Sequence, residues 1–353
     1  MSRRDILAPP LQRRGINRCY RVNLVHEYFG GYPGKQQAMQ STEDLSKQGY
    51  IEPDRYTEDD EDDDVPVEEL PNAFKTQMHV APSLYGGLIG FKGSTKRRIE
   101  SETQTEIFVP RSREAGSKTE YITIKGQLRA NVCAARRKIN LLVVSLRKRM
   151  RPTHFLSASL NTKEIKERFI EFQKTLLEEK FPGIDDKLFQ SENCLHLTLC
   201  TCVLLDDADR TKAVEMLQSS RKFLTDLKTP LDIKVSGLEI MNDDPSAARI
   251  LYASIISPDL QQFANRISKH FVDGGLCNED RDNVKLHMTL LNSRFRMKSN
   301  EKTADKFDAS QILKRFGDFN FGMAQCNKIE LCVLGSKSES DDGFYKVTGA
   351  LNF

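Results

Sequence analysis

Hydrophobic residues in the first seventy positions follow no sustained period, whereas from about residue 74 a two-residue or a 3.6-residue spacing is nearly always present. Residues 74–80 (FKTQMHV) alternate as a strand, and 82–90 (PSLYGGLIG) carry a short helical pattern. A glycine-flanked loop, Gly90-Phe91-Lys92-Gly93, comes next, then a helix over 94–103 for which Ser94 is the expected N-cap. Residues 105–110 (TEIFVP) and 119–126 (TEYITIKG) predict two strands around a polar loop, the second setting Tyr121 and Thr123 against Ile122 and Ile124. Over 128–149 the spacing predicts a long helix with Val132, Ala135, Ile139, Leu142, Val143 and Leu146 on its core face. The order is β-α-loop-α-β-β-α. Pro152 is expected to break the last helix and mark a domain boundary.

Beyond Pro152 strands and helices alternate to the end. Strands are predicted over 154–160, 194–205, 231–241, 249–256, 284–295, 327–335 and 344–353, and helices over 162–179, 208–227, 258–271 and 309–318. Hairpin-like neighbouring strands point to an α+β domain rather than a doubly wound sheet. The expected organisation is a mostly disordered tail (1–70), a small αβ module (71–151) and a larger α+β domain (152–353).

Charge sharpens the division. Residues 1–70 hold 9 Lys/Arg against 15 Asp/Glu, with nine carboxylates in the twelve positions Glu58 to Glu69, a density that resists compaction. Within the tail, Ile16–Leu24 (INRCYRVNL) is a candidate docking peptide or added strand. Residues 92–151 instead hold 16 basic and 5 acidic residues, the footprint of a polyanion-binding surface or of a solvated basic face. Part of that excess is a second cluster, Arg136-Arg137-Lys138 and Arg147-Lys148-Arg149 with Arg151, which suits an extended path for that polyanion or a nuclear-localisation patch. A chain of 353 residues that is 39% hydrophobic can bury sizeable cores. It has no apolar run of membrane-spanning length and no apolar stretch behind the basic N-terminus that would make a secretory signal. The eight cysteines have no framework spacing, as expected of reduced thiols in the cytosol or nucleus.

The larger domain repeats itself at one place. Leu195-His196-Leu197-Thr198-Leu199 and Leu286-His287-Met288-Thr289-Leu290 agree in four of five positions and stand 91 residues apart, which suggests two lobes of about ninety residues each. On a strand His196 and Thr198 share one face, as do His287 and Thr289, with the apolar residues on the other. If the lobes bring both pairs to one groove, one imidazole can take a proton from an attacking hydroxyl or water. The other can protonate the leaving oxygen, and the threonine hydroxyls can hold the non-bridging oxygens of a phosphodiester. No metal or other cofactor enters that scheme. A metal reading of Cys194, His196, Cys200 and Cys202 is disfavoured, because a straight strand spreads ligands along a line rather than closing a tetrahedron.

With these residues in view, the two His-x-Thr strands resemble the two-histidine (2H) phosphoesterase superfamily, which includes RNA ligase-like cyclic phosphodiesterases and the A-kinase anchoring protein phosphoesterase domain. The resemblance implies a bilobal, pseudo-twofold domain with His196 and His287 as the acid/base pair and Thr198 and Thr289 as phosphate binders. It also implies action on RNA ends or 2′,3′-cyclic phosphates. The preceding module resembles a eukaryotic-type (type I) KH domain, which implies that Gly90, Phe91, Lys92, Gly93, Ser94, Lys96, Arg97 and Arg98 hold single-stranded RNA. Phe91 departs from the small or basic residue usual there and is either a base-stacking group or a buried one. The domain order, with strings such as LHLTL, EIMNDDP and VKLHMTL, is similar to a family of KH–2H proteins. That likeness implies a nuclear protein, with the cytoplasm as the alternative location; the chain is expected to be monomeric outside its complex and without membrane association. The complex it implies contains a helicase and serves transcription coactivation and alkylation-damage repair. The competing expectations are a non-catalytic RNA-binding adaptor subunit and an adaptor that binds proteins only.

Overall fold

The computed structural model describes residues 11–13, 19–21, 66–110, 121–277, 282–297, 305–336 and 343–353. The chain divides into two compact units, Met1–Asp62 and Asp63–Phe353. In the first, strand β1 (Leu11–Arg13) pairs antiparallel with β2 (Cys19–Arg21), so part of the expected docking stretch is a strand. The rest of that stretch and nearly all of the expected acidic tail lie outside the described residues.

The second unit opens with a four-stranded antiparallel sheet in the order β3-β4-β6-β5. Its strands are β3 (Val67–Leu70), β4 (Ala73–His79), β5 (Thr105–Phe108) and β6 (Tyr121–Gly126). Helices α1 (Tyr85–Ile89) and α2 (Ser94–Thr103) flank the glycine loop, and α3 (Arg129–Arg147) closes the module. This is the type I KH order with β3 added, and β3 takes the last four residues of the expected tail. Its acidic residues hid it from the hydrophobic pattern, but Val67 packs on the module's core and Lys75 of β4 holds Glu68 at 2.9 Å. Burial of Ile122, Ile124, Val132, Ala135 and Ile139 matches the predicted faces. Two expectations need correction. Ser94 is the first helical residue and makes no side-chain cap; Gly93, in the left-handed conformation, occupies the cap position. And α3 stops at Arg147, where Lys148, Arg149 and Met150 tighten the last turn with backbone bonds, so Pro152 lies in the extended link rather than ending the helix.

The remainder is one eight-stranded sheet in the order β12-β9-β10-β11-β8-β7-β13-β14. The strands are β7 (His154–Ser159), β8 (His196–Cys202), β9 (Leu231–Ile240), β10 (Ile250–Ile256), β11 (His287–Asn292), β12 (Asn320–Cys326), β13 (Lys328–Val333) and β14 (Val347–Asn352). The helices are α4 (Lys163–Glu178), α5 (Asp207–Ser219), α6 (Pro258–Asp273) and α7 (Ser310–Phe316). In α4, Thr162 caps the N-terminus and Ile165, Phe169, Phe172 and Leu176 form one buried stripe. In α6, Pro258 stands at the first turn, and Leu260, Phe263, Ile267 and Phe271 do the same. Read outward from the centre, β11-β10-β9-β12 mirrors β8-β7-β13-β14. The lobes are therefore not successive ninety-residue stretches, because the last hairpin of the chain returns to complete the first lobe. Strand β12, rich in Asn, Gly and Gln, carries no strand signal of its own and forms by pairing along β9.

Candidate phosphate groove and RNA clamp

The two repeats meet at the centre of the sheet. Strands β8 and β11 pair antiparallel with Leu197 opposite Met288. One residue to either side, that register sets His196 across from Thr289 and Thr198 across from His287. The four polar residues form a rectangle on one face, with each histidine facing a threonine and the histidines on a diagonal of roughly 7–8 Å. Ser159 lies opposite His196 on β7, and Ser254 opposite His287 on β10.

The imidazoles are set alike. Nδ1 of His196 lies 2.7 Å from the carbonyl of Cys194, and Nδ1 of His287 lies 2.8 Å from the carbonyl of Lys285. A carbonyl only accepts, so each Nδ1 carries a proton and each ring offers Nε2 for chemistry. Around His196 stand Phe155, Tyr345 and Phe344, with ring centroids at 5.1, 5.2 and 6.3 Å. Tyr345 is buried, and burial pushes its phenol well up. Beside His287 stands Tyr252 at 5.3 Å. Burial first, and then its hydrogen bond to Glu239, raises the Tyr252 hydroxyl, while that bond together with one from Ser254 holds the Glu239 carboxyl down.

Each repeat also carries a bulge that the motif conceals. The register of β8 on β7 shifts between the pairs Leu156–Cys200 and Ser157–Thr198, and that of β11 on β10 between Leu251–Leu291 and Tyr252–Thr289. The extra residues are Leu199 and Leu290. Burial follows the same sequence in both, so two consecutive residues (Leu199-Cys200 and Leu290-Leu291) turn to the core and the next (Thr201 and Asn292) returns to the groove side. Cys200 is thereby removed from the face of His196, and hydrogen bonds with Cys202 and Cys277 plus burial hold its thiol well up. Strict alternation, which puts Cys194, Cys200 and Cys202 beside His196, fails for this reason.

Among the described residues, one group of three ligand-type side chains lies within 4.8 Å of one another, His79, Asp206 and Asp209. Its groups are already engaged. His79 Nε2 is 3.0 Å from Asp206, Asp206 caps α5, and Asp209 takes the Arg147 guanidinium at 2.6 and 3.1 Å, a charge that opposes a cation. These residues instead form the junction of the two domains, together with Leu205, which packs on the KH core. Arg147 is thus buried and withdrawn from any RNA path, contrary to the expectation for the second basic cluster. Arg136 is also engaged, bonding Thr76 and the carbonyl of Gln77 at 3.0 and 3.1 Å, and Lys138 pairs with Glu102 at 2.6 Å.

In the KH loop Gly90, Lys92 and Gly93 all have positive φ (73°, 49° and 79°). A Cβ on Gly90 would stand 2.2 Å from Thr95 Oγ1 and 2.9 Å from the Thr95 amide nitrogen, so the loop requires glycine there. Arg97 turns back to donate to the carbonyls of Lys92 and Gly93 and so braces the loop. Lys96 pairs with Glu100 at 2.9 Å and Arg98 with Glu102 at 3.6 Å. Phe91 is 81% exposed, which resolves the sequence alternative in favour of an open ring, with the Lys92 ammonium 5.4 Å from its centroid. Phe155, Thr201, Tyr252, Lys285, Phe344 and Tyr345 are the groove residues that sequence reasoning missed. The signal within reach, for Thr201 alone, was a polar residue two places beyond Leu199, as Asn292 is beyond Leu290.

A type I KH fold followed by a bilobal sheet that aligns two His-x-Thr strands defines a KH-linked two-histidine phosphoesterase. The chain belongs to that RNA ligase-like family: residues 152–353 match the AKAP7 2'5' RNA ligase-like domain, and residues 75–141 match the KH domain. A relative, "Activating signal cointegrator 1 complex subunit 1" of Mus musculus, is 35% identical over 289 residues, covering 75% of this chain and 80% of the mouse protein. Among solved structures, the first KH type I domain of human Vigilin aligns at TM-score 0.21 and 23% identity, over 24% of this chain and 87% of that one. A phosphoesterase crystal structure aligns at TM-score 0.36 and 17% identity, over 57% of this chain and 97% of that one.

Proposed function

We propose that the chain is an RNA-binding phosphodiesterase that acts on RNA ends or 2′,3′-cyclic phosphates. The observation that carries the reading is the His196–Thr289/Thr198–His287 rectangle, with both Nδ1 atoms held on backbone carbonyls. The neutral histidine accepts a proton at Nε2 from the attacking water as its oxygen bonds to phosphorus. The protonated histidine delivers a proton from Nε2 to the leaving ester oxygen as the P–O bond breaks. Thr198 and Thr289 donate hydrogen bonds to the non-bridging oxygens, where negative charge grows. The KH loop supplies RNA affinity through Lys92 and the exposed ring of Phe91.

The mouse relative's name supports membership of an activating signal cointegrator complex, and the helicase-containing assembly and nuclear residence expected from sequence are part of this proposal. Exposed Lys148, Arg149 and Arg151, unlike buried Arg147, remain open to a nuclear-import partner. The test is a turnover assay in EDTA with short RNAs ending in a 3′-hydroxyl or a 2′,3′-cyclic phosphate, comparing wild type with His196→Ala/His287→Ala. Turnover that vanishes in the double variant supports the enzyme. No turnover by wild type, with RNA binding intact, replaces it with the adaptor reading.

A further inference from the structure

The groove is symmetric in its four central residues and asymmetric just beyond them. Beyond Thr198 and His287, Thr201 and Lys285 line the same side of the groove. In the other repeat, 91 residues away, the equivalent positions are Asn292 for Thr201 and Cys194 for Lys285. Cys194 is fully buried, whereas the Lys285 side chain is 49% exposed. The repeat that supplies His287 therefore carries a cation where the repeat that supplies His196 carries a buried thiol.

A cavity of about 230 Å³ opens at the charged end, lined by Thr198, Leu199, Thr201, Ser268, Val284, Lys285 and His287. It is smaller than the roughly 300–1,000 Å³ of ordinary small-molecule pockets, and so suits a phosphate and its ester rather than a whole nucleotide. Three hydroxyls, an imidazole and one ammonium face it, and among the described residues no carboxylate does. The ammonium is steered without being consumed. It lies 4.9 Å from the Tyr252 ring centroid and forms a long ion pair with Glu239 at 3.9 Å, without a hydrogen bond, while Glu239 accepts hydrogen bonds from Tyr252 and Ser254. Residues two positions apart lie about 7 Å apart along a strand, a step commensurate with that between neighbouring phosphates of a single strand.

We infer that Lys285 is a specificity-determining residue that binds the phosphate flanking the scissile one, with Thr201 and Ser268 as neutral donors beside it. The substrate class is then an oligonucleotide end rather than a mononucleotide. This inference rests on the phosphodiester reading above. It orients the substrate, because Lys285 has no basic counterpart in the other repeat, where Cys194 stands.

The test compares a nucleoside 2′,3′-cyclic phosphate, which has no flanking phosphate, with a dinucleotide ending in the same cyclic phosphate. Lys285→Gln is expected to raise KM for the dinucleotide about tenfold, the size of one charge-assisted hydrogen bond, and to leave KM for the mononucleotide within about twofold. The turnover number stays unchanged for both, and Lys285→Arg restores most of the loss. An equal change for both substrates, or none for the dinucleotide, overturns the inference. If wild type turns over neither, the phosphodiesterase reading fails. Lys285 is then read from equilibrium binding of a 3′-phosphorylated dinucleotide against a nucleoside 3′-phosphate. The same selective loss in Lys285→Gln supports the flanking-phosphate site, and its absence removes it.

Discussion

Replacing Asp209 by Ala is expected to loosen the KH module from the phosphoesterase and to cost more stability than an ordinary surface change. The Arg147 and Asp209 side chains are 6% and 5% exposed and share two hydrogen bonds, at 2.6 and 3.1 Å. The same carboxylate accepts the Leu205 amide at 2.9 Å, and Arg147 also donates to the carbonyl of Val203 at 2.5 Å. Truncation leaves a buried guanidinium with one charged partner gone and a backbone amide without its acceptor. Breaking such a pair from one side costs about 3–5 kcal/mol. At about 2–4 °C per kcal/mol for a cooperative unit of 150–250 residues, the midpoint falls by roughly 6–20 °C. Thermal melting followed by circular dichroism reads the shift. Because Arg147 belongs to the KH helix and Asp209 to the phosphoesterase, the melt is also expected to separate into two steps. Arg147→Met/Asp209→Leu recovers most of the loss, since replacing both charges removes the unpaired one. A fall of under about 2 °C in Asp209→Ala, or a double variant as unstable as the single, refutes the reasoning.

Each of His196→Ala and His287→Ala is expected to lower the turnover number by roughly 10²–10⁴-fold while product binding stays within a few-fold, as read by single-turnover kinetics and titration. Phe91→Ala weakens single-stranded RNA binding by about 1–3 kcal/mol without moving the melting temperature, because the ring is 81% exposed and supports no core. Gly90→Ala abolishes the clamp through its clash with Thr95, seen as lost RNA affinity with a folded phosphoesterase. Burial first, and then the Arg210 charge, holds His154 below the ordinary histidine range. Its unfolded form takes up a proton before its folded form does, so this contribution to stability is full above the unfolded value, near 6.5, and is lost as pH falls toward the folded value. Melting temperature should decline from pH 7.5 to 5.5, and His154→Gln should flatten that decline.

Much of the architecture was legible because it is written in local periods. The apolar stripe of α3, the alternation of β6 and the helices α4 and α6 follow from side chains three, four or two residues apart. Strand β3 escaped because its acidic residues break the hydrophobic pattern, and β12 because its Asn, Gly and Gln carry no propensity. Each exists through pairing with a neighbour that the local sequence does not name. The basic cluster near Arg147 was misread for a related reason. A charge on a helix end looks solvated until a carboxylate 62 residues away closes over it.

The candidate site shows the same limit more sharply. Sequence alone determined the domain order, the identity of the two His-x-Thr strands and the glycine loop, because each depends on residues within one strand or turn. Tertiary structure decided that Leu197 meets Met288, and with it that each histidine faces the other strand's threonine. It also decided that matched bulges turn Thr201 and Asn292 toward the groove, that the returning C-terminal segment brings Tyr345 over His196, and that Lys285 and Thr201 line one cavity. These are matters of register between distant strands. A one-residue slip reverses the face of every side chain, and register is set by the packing of a whole sheet rather than by any window of the chain.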